Sequence, residues 1–233
     1  MKKRTTKILL GVLAAITLFV MIAVALPYFF KDHLTLTPVQ LNAESDWQEL
    51  QLNNFDKITV FGSWAVRIKQ GNEYSVSVKA PAGLTDKSCT VQNGELIINK
   101  LADNLNSAPR IEITMPKLQN VHILGAAEVR VSDFKAPKQP FVLTVEGATS
   151  FRADRSTFEN VKIACQGASS IEFRGCVINS ADVNIAGASS VELDRMNGGE
   201  LTGELNGVAS LRYSGNIASN KIKTSGLAVV KQN

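Results

Sequence analysis

A phrase of five residues anchored on glycine returns through the second half of this chain. It reads "GAAEV" at Gly125, "GATSF" at Gly147, "GASSI" at Gly167, "GASSV" at Gly187, "GVASL" at Gly207 and "GLAVV" at Gly226. The steps between glycines are 22, 20, 20, 20 and 19 residues. A period of this size marks a supersecondary unit that cannot bury its apolar face alone, so neighbouring copies must stack to share one core.

The columns around each glycine say what the unit is. Four residues before it stand Val121, Leu143, Ile163, Val183, Gly203 and Ile222, and two before it Ile123, Val145, Cys165, Ile185, Leu205 and Thr224. Two after it the residues are small: Ala127, Thr149, Ser169, Ser189, Ala209 and Ala228. Four after it they are large again: Val129, Phe151, Ile171, Val191, Leu211 and Val230. Period two with one apolar face is the pattern of a half-buried strand. A glycine inside such a strand marks a bend or a close backbone approach. Each copy therefore reads as a strand, a bend at the glycine, a second strand and a polar connection back. The connections, such as "DRSTFEN" and "DRMNGGE", are too short for a crossover helix. The leucine-rich pattern L-x-x-L-x-L-x-x-N and the calcium-binding nonapeptide are both missing. The expected fold is all-β, a parallel β-helix or β-solenoid with about twenty residues per turn.

Residues 51–118 are less regular but also β-rich. "KITVFGSWAVRI", Lys57 to Ile68, repeats the alternation about Gly62, with Trp64 where later copies are small. "QGNE" at 70–73 and "NG" at 93–94 signal hairpins. Strands are expected near 57–69, 73–80, 88–92, 95–99 and 110–115, with 100–109 a loop. This section would cap the first turn of the solenoid, since stacked repeats need a covered end.

The start of the chain is of another kind. "ILLGVLAAITLFVMIAVAL", Ile8 to Leu26, holds 19 residues without a charge and follows Lys2, Lys3, Arg4 and Lys7. That length spans a bilayer as a helix, and the preceding cations keep the N-terminus cytoplasmic. "AVA", Ala23 to Ala25, also suits signal cleavage. The apolar run, continued through Tyr28, Phe29 and Phe30, exceeds a usual signal core and favours an uncleaved anchor, with a cleaved, exported form as the alternative. No Cys follows the leader, so a lipid anchor is not expected. The expected organisation is 1–30 membrane anchor or signal, 31–50 spacer, 51–118 β-rich section and 119–233 solenoid repeats.

Charge excludes one class of function. Net charge is +4, but past residue 30 the chain carries 21 basic and 21 acidic residues. The excess belongs to the leader, and a nucleic-acid face is not expected. Cys89, Cys165 and Cys176 have no metal-ligand spacing and cannot all pair. Cys165 falls in an inward column, as a small buried hydrophobe would, and a disulfide from Cys89 to one of the others stays open. His33 and His122, the only histidines, give a hydrolytic triad little to work with. Asp133, Asp154 and Asp194 follow their glycines by 8, 7 and 7 residues and could line one edge of adjacent turns as oxygen ligands. Solvated turn carboxylates are the simpler reading, because calcium loops need more ligands closer together. No cofactor, metal or catalytic residue is assigned.

The outward columns are plainer. One after the glycines come Ala126, Ala148, Ala168, Ala188, Val208 and Leu227; three after come Glu128, Ser150, Ser170, Ser190, Ser210 and Val229. Ser150, Ser170, Ser190, Ser210, Ala148, Ala168 and Ala188 thus form a flat strip. It is either a docking surface or the small lining that a tight bend selects by itself. Five after the glycines, stacking in register would set Arg152 against Glu172 and Glu192 against Arg212.

"VFGSWAVRIKQGNEYSVSVKA", "VQNGELII" and the "GASS" copies resemble the head GIN domain family, bacterial envelope proteins described as autotransporter adhesins. The resemblance runs from about Trp47 to the C-terminus. It implies an extracytoplasmic β-solenoid with an adhesin role. No alternating membrane-barrel segment follows the repeats within the 233 residues, so self-export through an outer membrane is not expected. The function expected is a non-enzymatic envelope protein presenting its solenoid for adhesion or protein interaction. Its contacts would be the membrane through the leader, a protein or glycan partner, and other copies of itself. The alternative is an envelope sensor or accessory subunit that binds a glycan or small ligand. A saccharide-active enzyme would need paired carboxylates in a groove, and the inward columns hold none. A sugar groove would also show exposed aromatics, whereas Phe151, Phe173 and Tyr213 fall at inward parity.

Overall fold

A computed structural model describes residues 46–81, 83–101 and 108–233, and not the side chains of 136–139. The anchor or signal segment 1–30 and most of the spacer lie outside the described residues. Among the described residues no helix is long and apolar enough to cross a membrane. Leu41–Asn233 form one compact unit, and its described residues are all-β apart from a single 3-10 turn at Thr85–Lys87.

The strands run β1 (Gln48–Leu50), β2 (Lys57–Phe61), β3 (Ala65–Gln70), β4 (Ser75–Lys79), β5 (Cys89–Gln92), β6 (Glu95–Ile98) and β7 (Arg110–Met115). The repeats supply β8 (Asn120–Gly125), β9 (Glu128–Ser132), β10 (Lys135–Gly147), β11 (Ser150–Asp154), β12 (Thr157–Gly167) and β13 (Ser170–Arg174). They continue as β14 (Val177–Gly187), β15 (Ser190–Asn197), β16 (Glu200–Gly207), β17 (Ser210–Asn216), β18 (Ser219–Gly226) and β19 (Val229–Gln232). From β8 onward each strand pairs in parallel with its equivalent one turn later, Gly147 on Gly125, Gly167 on Gly147 and Gly187 on Gly167. The result is a β-solenoid of about five turns at about twenty residues each, the period expected from the glycine spacing.

The inward columns form one core. Val121, Leu143, Ile163 and Val183 are buried, as are Val129, Phe151, Ile171, Val191 and Leu211. Phe141, Phe151, Phe158 and Phe173 meet inside it, with Phe141 and Phe158 stacked at 5.0 Å and Phe158 and Phe173 edge-on at 5.9 Å. The connections carry more structure than the sequence indicated. In "DRSTFEN", Thr157 and Phe158 already pair with Val177 and Ile178 of the next turn. Phe158 and Ile178 are buried, so each connection adds a short third side whose apolar residue reaches the core.

Two kinds of corner turn the chain. At the first, Gly147 has φ +132° and Gly167 φ +127°. A Cβ built on either would run into the carbonyl oxygen of the glycine one turn earlier. Glycine is required here both by conformation and by the approach of stacked backbones. At the second corner Asp133, Arg155, Gly175, Arg195 and Gly215 all have positive φ, between 50° and 89°.

The β-rich N-terminal section joins the same stack. β2 and β3 lie against β8 and β9, with Phe61 opposite Leu124 and Arg67 opposite Arg130, which sets Gly62 next to Gly125. On their other side β2 and β3 meet β6 and β7 in parallel. β4 then covers β7, β1 covers β4 and β5 covers β6, all antiparallel. The "NG" signal at Asn93 and Gly94 makes the β5–β6 hairpin, both residues having positive φ. The hairpin expected at "QGNE" does not form. β7 takes the position between β3 and β4, so residues 71–74 carry the chain over β7 instead of joining neighbours.

Candidate functional site

The expected strip lies on the outer face of the sheet that includes β9, β11, β13, β15 and β17. Ser150, Ser170, Ser190 and Ser210 pair in register across four adjacent strands. Ser150, Ser170 and Ser190 are exposed, Ser210 is half-buried, and Ala148, Ala168 and Ala188 beside them are exposed. Together they line a shallow depression. Beneath the strip the hydroxyls of Thr149, Ser169 and Ser189 point inward and bond backbone groups of neighbouring turns.

Register carries the same row past the repeats. Ser150 pairs with Glu128, Glu128 with Ala65, Ala65 with Arg110, and Arg110 with Lys79. Since Gln48 pairs with Val78, Trp47 falls beside Lys79 at the end of this row. Trp47 is 43% exposed and lines a cavity of about 190 Å³ with Arg67, Arg110, Glu112, Glu128 and Arg130. Phe151, Phe173 and Tyr213 are buried, as their inward parity requires, whereas Trp47 is an exposed aromatic that the repeat columns did not include. A second cavity of about 380 Å³ adjoins it through Arg67, Glu112 and Arg130, and extends to Lys69, Asp154 and Arg155.

Charges on this face are ordered by stacking. Arg67 pairs with Glu112 at 3.1 Å and Arg130 with Glu128 at 2.6 Å. Arg152 meets Glu172 at 3.2 Å, as the register requires, and Glu172 also holds Arg174 at 2.8 Å. Glu192 sits opposite Arg212. His122, half-buried on an outward position, contacts Glu146 at 3.1 Å.

The acidic row has a structural use. Asp133 accepts hydrogen bonds from Arg155 Nε at 2.9 Å and Nη2 at 3.2 Å. The Arg155 guanidinium holds the Asp133 carboxyl below the ordinary aspartate range. Asp194 accepts from the Gly175 N–H at 3.0 Å. Both brace positive-φ corners, and among the described residues no group of His, Cys, Asp and Glu gathers to hold a metal. Cys89, Cys165 and Cys176 are all buried free thiols, so the disulfide left open for Cys89 does not form. Burial pushes the Cys89 and Cys176 thiols up to about 11.

Column reading missed Trp47, Lys79, Arg110 and Ala65. β4 and β7 belong to no twenty-residue copy, so only pairing brings their residues into the row. One sequence signal did exist, the "GSWAV" phrase at Gly62, whose Ala65 holds the same offset as Glu128 and Ser150.

Known proteins agree with this architecture. A crystal structure described as a "putative adhesin" from Bacteroides fragilis NCTC 9343 is similar with TM-score 0.58 at 13% identity, covering 82% of this chain and 98% of that one. Another "putative adhesin", from Parabacteroides distasonis ATCC 8503, gives TM-score 0.51 at 12% identity with 82% and 98% coverage. At such identities the likeness concerns the fold. No curated protein sequence matches the chain. Residues 54–230 match the family described as "Putative auto-transporter adhesin, head GIN domain", and the chain belongs to that family.

Proposed function

We propose that this protein is a non-enzymatic component of the bacterial envelope that presents its solenoid for adhesion or protein interaction. Family membership supports an adhesive role and an envelope-exposed domain. The observation that carries the reading is the outer strip, where four adjacent strands present Ser150, Ser170, Ser190 and Ser210 in register, flanked by Ala148, Ala168, Ala188 and the exposed Val208. A surface so free of long side chains lets another backbone, a glycan chain or a second copy approach closely, and little side-chain entropy is lost when it is covered.

Residues 1–30 would hold the domain at the membrane, with the N-terminus in the cytoplasm and the solenoid outside it. Mass spectrometry of the mature chain tests this part. A product that begins at Leu26 would replace the anchor with a cleaved, exported form.

The adhesive part is tested by Ser170→Arg, Ser190→Arg and Ser210→Arg combined in the full-length protein. Cells displaying wild type and variant at equal surface levels are compared for aggregation and for attachment to immobilised envelope material. Cations of this bulk should exclude a close partner, so both readouts should fall severalfold while circular dichroism and melting stay native. Attachment and aggregation at wild-type levels would remove the strip from the interaction.

A further inference from the structure

We propose that the cavity beside Trp47 is a binding site for an acidic saccharide, a pyranose ring bearing a carboxylate. The ring would lie against the indole and the carboxylate on Arg110. This site does not depend on the docking role of the strip, although the two share one face.

The two tryptophans make the first part of the case. Trp64 is 1% exposed and its indole N–H donates to the Asn99 carbonyl at 3.1 Å, so core packing accounts for it. Packing does not account for Trp47. It is 43% exposed, and among the described residues it meets no other ring and its N–H has no acceptor. An exposed indole offers a flat apolar face beside an N–H donor, which suits the C–H face and hydroxyl rim of a sugar.

The surrounding charges select the sugar. Arg67 and Glu112 neutralise each other, as do Arg130 and Glu128. Each pair presents donors next to acceptors, the combination that vicinal hydroxyls need, because every hydroxyl both gives and accepts a hydrogen bond. Arg110 is different. Among the described residues no carboxylate pairs with it, and its cross-strand partner is Lys79, a second cation. Like charges directly opposite one another destabilise an antiparallel pair, and an anion bound between them relieves that repulsion. A guanidinium also recognises a carboxylate in a planar, two-pronged manner. Ala65, between Arg110 and Glu128 in the row, keeps the floor low enough for a ring to enter.

Fluorescence provides the readout, because Trp47 and Trp64 are the only tryptophans in the chain and Trp64 is shielded. Full-length protein in detergent is titrated with galacturonate and glucuronate oligosaccharides, with a sialylated lactose, and with the neutral parent of each. At least one acidic sugar should change the emission saturably and bind about tenfold tighter than its neutral parent, the worth of one charge-assisted hydrogen bond. By calorimetry, Trp47→Ala should weaken it by about tenfold. Arg110→Gln should lower the acidic sugar to the affinity of the neutral one without lowering the melting point, since it also removes the repulsion with Lys79. The Ser170, Ser190 and Ser210 strip variant should bind it as wild type does, which separates failure of this site from failure of the strip. The proposal is overturned if no acidic sugar binds, if acidic and neutral sugars bind alike, or if binding ignores both Trp47→Ala and Arg110→Gln. Binding of poly-glutamate with the same dependence on Trp47 and Arg110, in place of sugars, would assign the cavity to an acidic peptide and equally overturn it.

Discussion

The Ser189 hydroxyl accepts a hydrogen bond from the Ser169 backbone N–H at 3.0 Å and donates to the Gly167 carbonyl at 3.2 Å. Ser169 repeats this one turn earlier, accepting from the Thr149 N–H and donating to the Gly147 carbonyl, each at 3.2 Å. At these two bends the Thr149 and Ser169 N–H groups turn into the core, where water cannot reach them, and a hydroxyl from the next turn supplies the acceptor. The small column is thus a rail of hydrogen bonds as well as a set of small volumes.

Ser189→Ala should therefore cost about 1–3 kcal/mol, since it leaves the Ser169 N–H buried without an acceptor. Ser189→Leu should cost at least as much by overpacking a residue that is 5% exposed. Ser190→Ala, exposed on the adjacent position, should stay within about 0.5 kcal/mol of wild type. Urea melts decide the matter. Equal effects at 189 and 190 would refute both the inward parity and the rail.

The glycines give a second contrast. Gly167 has φ +127° and a Cβ on it would meet the Gly147 carbonyl, whereas Gly175 has φ +59° and open space around that direction. Gly175→Ala should cost only the left-handed conformational penalty of about 1–2 kcal/mol. Gly167→Ala adds a backbone collision and should cost about 3 kcal/mol or more, lowering expression or separating the turns above and below it. Comparable melting points for the two variants would remove the close-approach argument.

The stack was legible where geometry repeats along the chain. Large, large, glycine, small, large is a pattern in sequence because each turn meets the next at the same offset, and burial follows it from Val121 to Leu211. The charge pair Arg152 with Glu172 followed from the same offset. What column reading could not show was pairing between segments of unequal spacing. β2 and β3 are followed by residues 71–119, and only then does β8 return to lie on β2, so nothing in the spacing connects Gly62 with Gly125. The candidate cavity suffers most from this, because Trp47, Arg110 and Arg130 come from three separated segments. The hydroxyl rail was hidden for a different reason. A column of Ala, Thr and Ser specifies size, and only the direction of the corner N–H reveals that two of those residues, Ser169 and Ser189, also serve as acceptors.

The charge ladder offers a salt-dependent test. Arg130 stands in register between Arg67 and Arg152, three cations on adjacent strands. Glu112, Glu128 and Glu172 each hold one of them. Glu172→Gln removes the anion shared by Arg152 and Arg174. Because these side chains are partly exposed, the loss should be about 0.5–1 kcal/mol in low salt. It should shrink in 1 M salt, where screening shortens electrostatic reach to about 3 Å. A loss independent of salt would mean that Glu172 acts through packing.

Buried thiols should set the alkaline limit of stability. Cys89 and Cys176 are raised from an ordinary 9.0 to about 11, chiefly because burial disfavours the thiolate. The unfolded chain loses these protons near 9 and the folded chain only near 11, so the folded state binds more protons in between. Their contribution is fully present below pH 9 and is lost progressively as pH rises through about 11. Urea midpoints should accordingly be level with respect to these two groups up to pH 9 and fall between pH 9 and 11, and Cys89→Ala with Cys176→Ala should flatten that fall. Since all three cysteines are free and buried, a reducing agent should leave the melting point unchanged. Iodoacetamide at pH 8 should label them only as fast as the protein opens, because burial denies the reagent access. Labelling of the native protein at the rate of the unfolded chain would show these thiols to be exposed and would overturn the packing of both corners that Cys165 and Cys176 line.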